Sequence, residues 1–123
     1  MPEDTPVFRQ YMTKKQGDRP VFAVTIREFP TGRRVDALSS SISVQWFWEY
    51  ASETIIVLQA VIDHYVDPHE HFNQALGYLE YLARFKWRVP CIIVDKAIFV
   101  DVLERRGYVE ENGRWHKRVY HTP

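Results

Sequence analysis

The sequence predicts a single α+β domain, within the broader α/β class, whose sheet is mixed and mostly antiparallel. Alternating apolar and polar residues, typical of half-buried strands, fill much of the first half of the chain. The β-branched run Thr54–Ile62 is typical of a strand covered on both faces. Apolar residues at three- and four-residue steps then separate this run from a second one, Cys91–Val94, which indicates a crossover helix. The centre of the fold is therefore predicted as strand, helix, strand, helix and hairpin.

The predicted domain begins after a polar N-terminal segment. Residues 1–20 are rich in proline, glycine and charged side chains, and we expect them to form a flexible arm with one short turn at Val7–Met12. The alternating pattern starts immediately afterwards. We therefore assign residues 21–123 to one domain, a size at which a single core is normal.

Three strands are predicted before the long β-branched run. Alternation from Val21 indicates the first, which the turn residues Pro30–Gly32 end. A short partner is expected at Val35–Leu38. A third strand covers residues 42–48, and the polar stretch Glu49–Glu53 turns the chain back.

The crossover helix has clear signals at both ends. Asp67 can accept hydrogen bonds from N–H groups of the first turn, and Pro68 suits the first helical position. The apolar stripe of residues 72–83 is predicted to continue to about Trp87. Val89–Pro90 then ends the helix, because proline lacks the N–H group that helix continuation needs.

The C-terminal part predicts a second helix and a hairpin. The helix is expected at Lys96–Arg106, with Gly107 as its left-handed cap. The strands Tyr108–Glu111 and Arg114–Tyr120 flank Asn112–Gly113, a strong signal for a type I′ turn.

The amino-acid composition excludes several classes of function. The chain has 123 residues, 16 basic and 16 acidic side chains and no formal net charge, so it lacks the basic excess of a general nucleic-acid or membrane-surface binder. Its lone cysteine, Cys91, excludes an intrachain disulfide and a cysteine-rich metal cluster. The apolar runs are too short for a membrane span, and the N-terminal residues do not resemble a signal peptide. We therefore expect a cytoplasmic protein with no membrane contact, and nucleic acid as an unlikely partner.

Histidines and carboxylates gather where the first helix begins. His64, His69 and His71 alternate there with acidic residues, a composition that suits metal binding. If residues 69 and 71 are helical, however, their side chains point about 200° apart. A polar helix start explains the cluster better, and we expect no bound metal.

The C-terminal half resembles the GNAT acyltransferases (GCN5-related N-acetyltransferases). Three segments carry the resemblance: IIVLQAVIDHYVDPHEHFNQALGYL, VPCIIVD and AIFVDVLERRGYV, the last followed by the hairpin. They cover roughly residues 54–120. The N-terminal half offers strands, but not the pair of helices that the family usually places between its first two strands.

The resemblance implies where acyl-CoA would bind and shows departures at that place. The family binds the cofactor's pyrophosphate on a glycine-containing turn at the start of this helix, where backbone N–H groups point at phosphate. Here residues 64–71 contain no glycine, and Pro68, Asp67 and Glu70 oppose phosphate binding. A retained site would use Val61, Ile62, His69, Glu70 and His71.

The catalytic positions also depart from the family. A tyrosine four residues before the glycine often protonates the leaving thiolate, but that position is Leu103. Tyr108 follows the glycine and is a weak substitute. Glu49 and Glu53 are weak candidates for the base.

Two hypotheses follow. In the first, the chain is a GNAT-like protein with a degenerate acyl-CoA site that needs no cofactor and serves as an interaction or assembly module. Its resemblance to short phage-encoded GNAT-like proteins, including internal virion proteins, implies a phage particle as one location. In the alternative, it is an active N-acetyltransferase that uses acetyl-CoA. A weaker third reading is nucleic-acid contact through the basic hairpin.

The interaction hypothesis has candidate residues. Eighteen aromatic side chains are many for this length, and Trp46, Trp48 and Tyr50 form a dense patch that suits a protein interface. The basic residues near the C-terminus form a second patch, and those named as candidates are Arg114, Lys117 and Arg118. The expected partner is another protein or a second copy of this chain.

Overall fold

The computed structural model describes residues 7–12 by their backbone, and residues 22–39, 42–62 and 68–120. They form one mixed, mostly antiparallel sheet with two α-helices, an α+β fold. The eight strands lie in the order β1-β2-β3-β4-β5-β6-β8-β7. The elements are β1 (Val7–Met12), β2 (Ala23–Phe29), β3 (Gly32–Leu38), β4 (Ile42–Glu49), β5 (Thr54–Ile62), α1 (Pro68–Tyr81), a π-helical turn (Leu82–Lys86), β6 (Cys91–Val94), α2 (Val100–Arg105), β7 (Val109–Glu111) and β8 (Arg114–Arg118).

The first five strands form an antiparallel meander. β1 pairs with β2 along its whole length, so Val7–Met12 is an edge strand rather than a turn within an arm. The other residues of the predicted arm, and the predicted cap Asp67, lie outside the described residues. β3 begins at Gly32, earlier than predicted, because its first residues pair with Trp48 and Glu49 at the end of β4.

The parallel pair at the centre is short. β5 and β6 share register only from Thr54 to Val57, and the last shared pair is Val57 with Val94. α1 and the π-helical turn connect the two strands, as the strand–helix–strand prediction requires. Beyond Val57, β5 continues beside β4 through a register shift that leaves Leu58 without a partner. Such a bulge bends a strand locally.

Both helices pack on the same face of the sheet. His69 and Phe72 of α1 contact Phe99 at the start of α2, and the buried residues of both helices belong to one core. The opposite face carries no helix of the described residues, and we call it the helix-free face. It presents the odd-numbered residues of β2, β4, β6 and β7, the even-numbered residues of β3 and β8, and Thr54, Ile56, Gln59 and Val61 of β5.

One-sided packing corrects the prediction for β5. Ile55 and Val57 are buried under the helices, but Val61 on the helix-free face is exposed. The strand was predicted to be covered on both faces because its sequence is continuously apolar. The helices cover only one face, so Ile56 and Val61 face away from the core.

α2 is shorter than predicted at its start. Phe99 has a left-handed backbone (φ 51°), so the helix begins at Val100 instead of Lys96. At the other end the Gly107 cap is confirmed: its φ is 87°, and the N–H of Tyr108 donates to the carbonyl of Leu103 at 2.9 Å. The hairpin turn is also confirmed, with φ of 53° at Asn112 and 79° at Gly113.

Gly32 allows β3 and β4 to approach closely. A methyl group there would overlap the carbonyl oxygen of Trp48 and the ring of Phe47. We expect Gly32→Ala to lower the free energy of unfolding by about 3 kcal/mol, as overpacking does when the backbone must move. Gly113→Ala, where nothing lies nearby but φ is positive, should cost only about 1 kcal/mol. Urea denaturation of both variants tests this. Equal losses would contradict the close approach at Gly32.

Candidate functional site

The start of α1 is the place where the GNAT resemblance puts a cofactor, and its side chains are engaged within the chain. His71 is buried and its Nδ1 lies 2.7 Å from the hydroxyl of Ser39. The His69 ring packs 4.1 Å from the Phe99 ring and its Nδ1 lies 3.4 Å from an Asp101 carboxylate oxygen. Glu70 accepts a hydrogen bond from the amide of Gln74 at 2.8 Å. The two histidine contacts join the start of α1 to the rest of the fold, and the Glu70–Gln74 hydrogen bond lies within the helix.

The two β5 residues in the predicted cofactor set stand at the end of that strand. Val61 is on the helix-free face, opposite Ser43 of β4, and Ile62 pairs with Ile42. The side chain of Ile62 and residues 63–67, including His64, lie outside the described residues. Val61 and His71, two members of the predicted cofactor set, therefore lie on opposite faces of the sheet.

The weak catalytic candidates do not form one cluster. Glu49 ends β4 and Glu53 is exposed in the β4–β5 turn, with a left-handed backbone (φ 52°). Tyr108 is buried after α2, and its hydroxyl donates to Glu80 at 3.1 Å. Tyr108 therefore packs against α1, while the two glutamates flank the β4–β5 turn.

The aromatic patch loses one predicted member and gains another. Trp46 is fully buried (0% exposed) and cannot be a surface residue, because it lies under α1 on the helix side. Trp48, two residues later at the end of the sheet, stacks on Trp87 with ring centroids 5.2 Å apart, and Tyr50 meets it edge-on at 4.8 Å. The Arg33 guanidinium lies 5.5 Å from the Trp48 ring and 5.2 Å from the Trp87 ring.

A small pocket lies beside these rings. It has a volume of about 280 Å³, and its walls include Trp48, Tyr50 and Trp87. Glu53 and Arg88, both with positive φ, stand at its rim. Non-glycine residues rarely adopt this conformation, so the surrounding turns hold it at a cost in backbone strain. Sequence reasoning could not find Arg33 as a member of the aromatic patch, because its contact with the two rings depends on the pairing of Arg33 with Trp48 across two strands.

A carboxylate at the centre of the helix side joins α1 to the C-terminal unit. Glu80 accepts two hydrogen bonds from Arg106, each 3.0 Å long, one from Lys117 at 3.1 Å and one from Tyr108. Arg106 also donates to Asn73 at 2.8 Å. The paired N–H groups of a guanidinium match a carboxylate, which makes this contact strong and directional.

Gly77 gives Arg106 room to cross α1. A methyl group at residue 77 would stand 3.1 Å from the Arg106 guanidinium. Glycine inside a helix costs about 1 kcal/mol relative to alanine, so this position trades helix propensity for the ion pair. Nothing in the sequence distinguishes Glu80 from other surface glutamates, and the network appears only when α2 is placed against α1.

Burial and charge shift the titration of this network. Burial, with the charge and hydrogen bond of Glu80, raises the pKa of Tyr108 well above its usual value. Burial lowers the pKa of Arg106, but the hydrogen bonds and charge of Glu80 more than offset it, so that pKa lies above its usual value. Burial also raises the pKa of the Cys91 thiol, which makes it a poor nucleophile at neutral pH.

The predicted basic patch is divided between the two faces of the sheet. Arg114 and Arg118 are on the helix-free face, while Lys117 is on the helix side with Glu80. The division follows from strand alternation, which sends neighbouring residues to opposite faces. Arg114 also pairs with Asp95 at 2.8 Å.

A row of apolar side chains crosses the helix-free face. Phe47 pairs with Ile56, and Ile56 pairs with Ile93, so the three residues stand side by side on β4, β5 and β6. We call them the apolar row. Val61 and Leu38 add exposed apolar surface on either side of Ser43 at one end of the sheet.

The described residues offer neither a metal site nor a membrane-spanning helix. Among the described residues, no group of three or more His, Cys, Asp or Glu side chains is placed to hold a metal ion. Neither α-helix nor the π-helical turn is long and apolar enough to cross a bilayer, as far as the described residues show. Comparison with protein-family models, curated proteins and solved structures finds no match to this chain.

The Tyr108 hydroxyl supports a pH prediction. Its pKa is raised in the folded state, so its contribution to stability is complete below pH 10 and is lost as the pH rises from there. The free energy of unfolding should therefore fall above pH 10 more steeply in the wild-type chain than in Tyr108→Phe. At neutral pH the variant should lose about 1 kcal/mol, the value of one hydrogen bond. Chemical denaturation across this range gives the comparison, and parallel pH profiles would contradict the buried hydroxyl.

Proposed function

We propose that this chain is a GNAT-like protein that no longer catalyses acyl transfer and serves as an assembly module, binding a second copy of itself through the helix-free face. The GNAT likeness is supported by the parallel β5–β6 pair, the crossover helix α1, and the order α2, Gly107, Tyr108, hairpin. A structural place in a phage particle, which the sequence resemblance implies, is part of the same proposal and suits a protein that assembles.

The start of α1 supports the loss of cofactor binding. A pyrophosphate would need free N–H groups and positive charge there. The first turn instead begins with Pro68, which has no N–H, and carries the Glu70 carboxylate. His69 contacts Phe99 and Asp101, and the buried His71 contacts Ser39, so both rings are engaged within the chain.

The helix-free face carries the proposal. An eight-stranded sheet with helices on one side leaves the other side for solvent or for a second layer. The apolar row and the exposed Val61 and Leu38 give this face more apolar surface than contact with water alone favours. Packing two such faces together would bury these side chains, as the inner faces of a β-sandwich are buried.

The mixed charges on the helix-free face favour a second copy of the chain as the partner that covers it. Around the apolar row, Arg27 and Arg34 lie within ion-pair distance of Asp36, so the face carries both signs. A two-fold interface requires a surface that is complementary to itself, which a mixed-charge face can supply. The chain has no formal net charge, so two copies do not repel each other at long range.

A specific observation favours acetyl-CoA binding as the second candidate function. The register between β5 and β6 stops at Val57, where the bulge at Leu58 begins. N–H groups on that side of β5 could pair with an extended ligand and polarise a thioester carbonyl. An acyltransferase would use this edge with acetyl-CoA as its cofactor.

Self-association should respond to charge on the helix-free face. Val61 is 48% exposed there. In Val61→Lys, burying the interface would also bury a lysine, so the dissociation constant should rise at least about tenfold. Size-exclusion chromatography with light scattering, at micromolar to near-millimolar protein, should show a concentration-dependent dimer in the wild type and a monomer in the variant.

The matched control places the same change on the helix side. Val100 in α2 is 40% exposed, so Val100→Lys alters charge and hydrophobicity equally but leaves the helix-free face intact. It should dimerise like the wild type. A wild-type chain that stays monomeric throughout the concentration range would overturn the self-assembly proposal, as would equal effects of the two variants.

A thioester that carries no nucleotide separates the two functions. Under the assembly proposal, a thermal-shift titration with S-acetyl-pantetheine, the thioester arm of acetyl-CoA, leaves the melting temperature unchanged up to millimolar concentration, because no state binds the thioester. A dose-dependent rise would favour the acyltransferase and contradict the assembly module as the main function.

A further inference from the structure

The C-terminal half of α1 and the end of β8 enclose a cavity that none of the preceding functions uses. Its volume is about 400 Å³, within the range of small-ligand pockets. Its walls come from α1, the π-helical turn and the last residues of β8. It lies roughly 18 Å along α1 from Pro68, so it is separate from the region of the GNAT-like cofactor. We call it the α1–β8 groove.

The groove is basic although the chain as a whole is neutral. Arg84 and Lys117 line it on the helix side and Arg118 borders it at the end of β8, against one carboxylate, Glu80. That carboxylate already accepts hydrogen bonds from Arg106, Lys117 and Tyr108, and its side chain is only 15% exposed. Its charge is therefore compensated, and the remaining field in the groove is positive. A concave site lined by positive charge concentrates the electrostatic potential, so it attracts an anion more strongly than a flat surface does.

Two cations in the groove have donor capacity left for a ligand. The Lys117 ammonium has three donors, and its contact with Glu80 uses one of them. The Arg84 guanidinium forms no ion pair among the described residues and instead lies 5.3 Å from the Phe85 ring. Because Lys117 is fixed by Glu80, one binding group is positioned before a ligand arrives, which lowers the entropy cost of binding.

Aromatic rings beside these cations narrow the ligand class. Tyr81 and Phe85 line the same groove, and they are 46% and 61% exposed. Their ring centroids are 5.5 Å apart. Exposed rings next to basic side chains suit a planar base joined to a phosphate, because bases stack on aromatic side chains while cations bind the phosphate.

The local backbone holds Phe85 and Arg84 outward. Both lie in the π-helical turn Leu82–Lys86, in which the N–H of Trp87 donates to the carbonyl of Leu82 at 2.7 Å. Leu82 and Ala83 are buried in this turn while the next three residues are exposed. Single π-helical turns are rare and occur frequently at functional sites. We propose that the α1–β8 groove binds a nucleoside phosphate, either a free nucleotide or one nucleotide of a single strand.

The test uses AMP, ribose 5-phosphate and a single-stranded oligonucleotide of about ten nucleotides as probes, titrated calorimetrically at low salt. AMP should bind saturably, and ribose 5-phosphate, which lacks the base, should bind about tenfold more weakly. Tighter binding of the oligonucleotide than of AMP identifies a strand as the source of the nucleotide. Tighter binding of AMP identifies a free nucleotide as the ligand. Either result supports the proposal that the groove binds a nucleoside phosphate.

Two variants locate the binding. Arg84→Gln should weaken AMP binding roughly tenfold by removing a charge-assisted hydrogen bond, and Phe85→Leu should weaken it about fivefold by removing the ring. Both side chains are exposed, so folding should be retained. The control Arg105→Gln removes an exposed arginine of α2 outside the groove and should leave binding unchanged.

Three results would overturn the proposal. The first is no saturable binding of either AMP or the oligonucleotide at millimolar concentration. The second is binding that Arg84→Gln leaves unchanged, which would put the ligand elsewhere. The third is ribose 5-phosphate binding as tightly as AMP, which would remove the role of the aromatic rings. Self-association is measured without a nucleotide and S-acetyl-pantetheine carries none, so this test and those of the assembly function can fail independently.

Discussion

The carboxylate of Glu80 is the contact on which the arrangement of the helices depends. It stands on α1, and its four hydrogen bonds reach Arg106 at the end of α2, Tyr108 beside it, and Lys117 on β8. A largely buried carboxylate is stable only when its oxygens are satisfied. Only a close approach of α1, the end of α2 and β8 satisfies them here. The same approach explains Gly77, whose missing side chain lets Arg106 cross the helix.

Both helices cover the apolar core on one side of the sheet, and the Glu80 contact joins α1 to the end of α2 and to β8 there. The core residues come from one face of β2 to β6, so the opposite face keeps Ile56 and Val61 of β5 outside the core. On the same side, the start of α1 places the buried His71 against Ser39 and the half-exposed His69 against Phe99. Packing of both helices on one face thus accounts for the open opposite face of the sheet.

Local signals in the sequence predicted the elements well. Pro68 marks the first residue of α1, Gly107 caps α2, and Asn112–Gly113 forms the hairpin turn, because each of these residue types has a backbone preference that acts without distant contacts. Phe99 gives no such signal, because phenylalanine has no preference for the left-handed backbone conformation that it adopts. The same limit applies to Val7–Met12, which becomes a strand only by pairing with β2.

Site residues were harder to predict than elements. Trp46 and Trp48 look equivalent in an alternating strand, yet one is buried and the other stacks on Trp87 at the end of the sheet. Lys117 and Arg118 are neighbours in sequence but belong to opposite faces. The α1–β8 groove combines residues from α1, the π-helical turn and β8, which are far apart in the chain. Such juxtapositions depend on register and helix placement, and composition does not report them.

Self-assembly of this protein requires burial of the helix-free face by a second copy. A thiol at residue 61 measures this directly, in a chain whose only natural cysteine is replaced (Val61→Cys with Cys91→Ser), and Val100→Cys provides the same thiol on the helix side. The rate of maleimide labelling at residue 61 should fall as protein concentration rises, while the rate at residue 100 stays constant. Rates at residue 61 that do not change with concentration would contradict the proposed assembly.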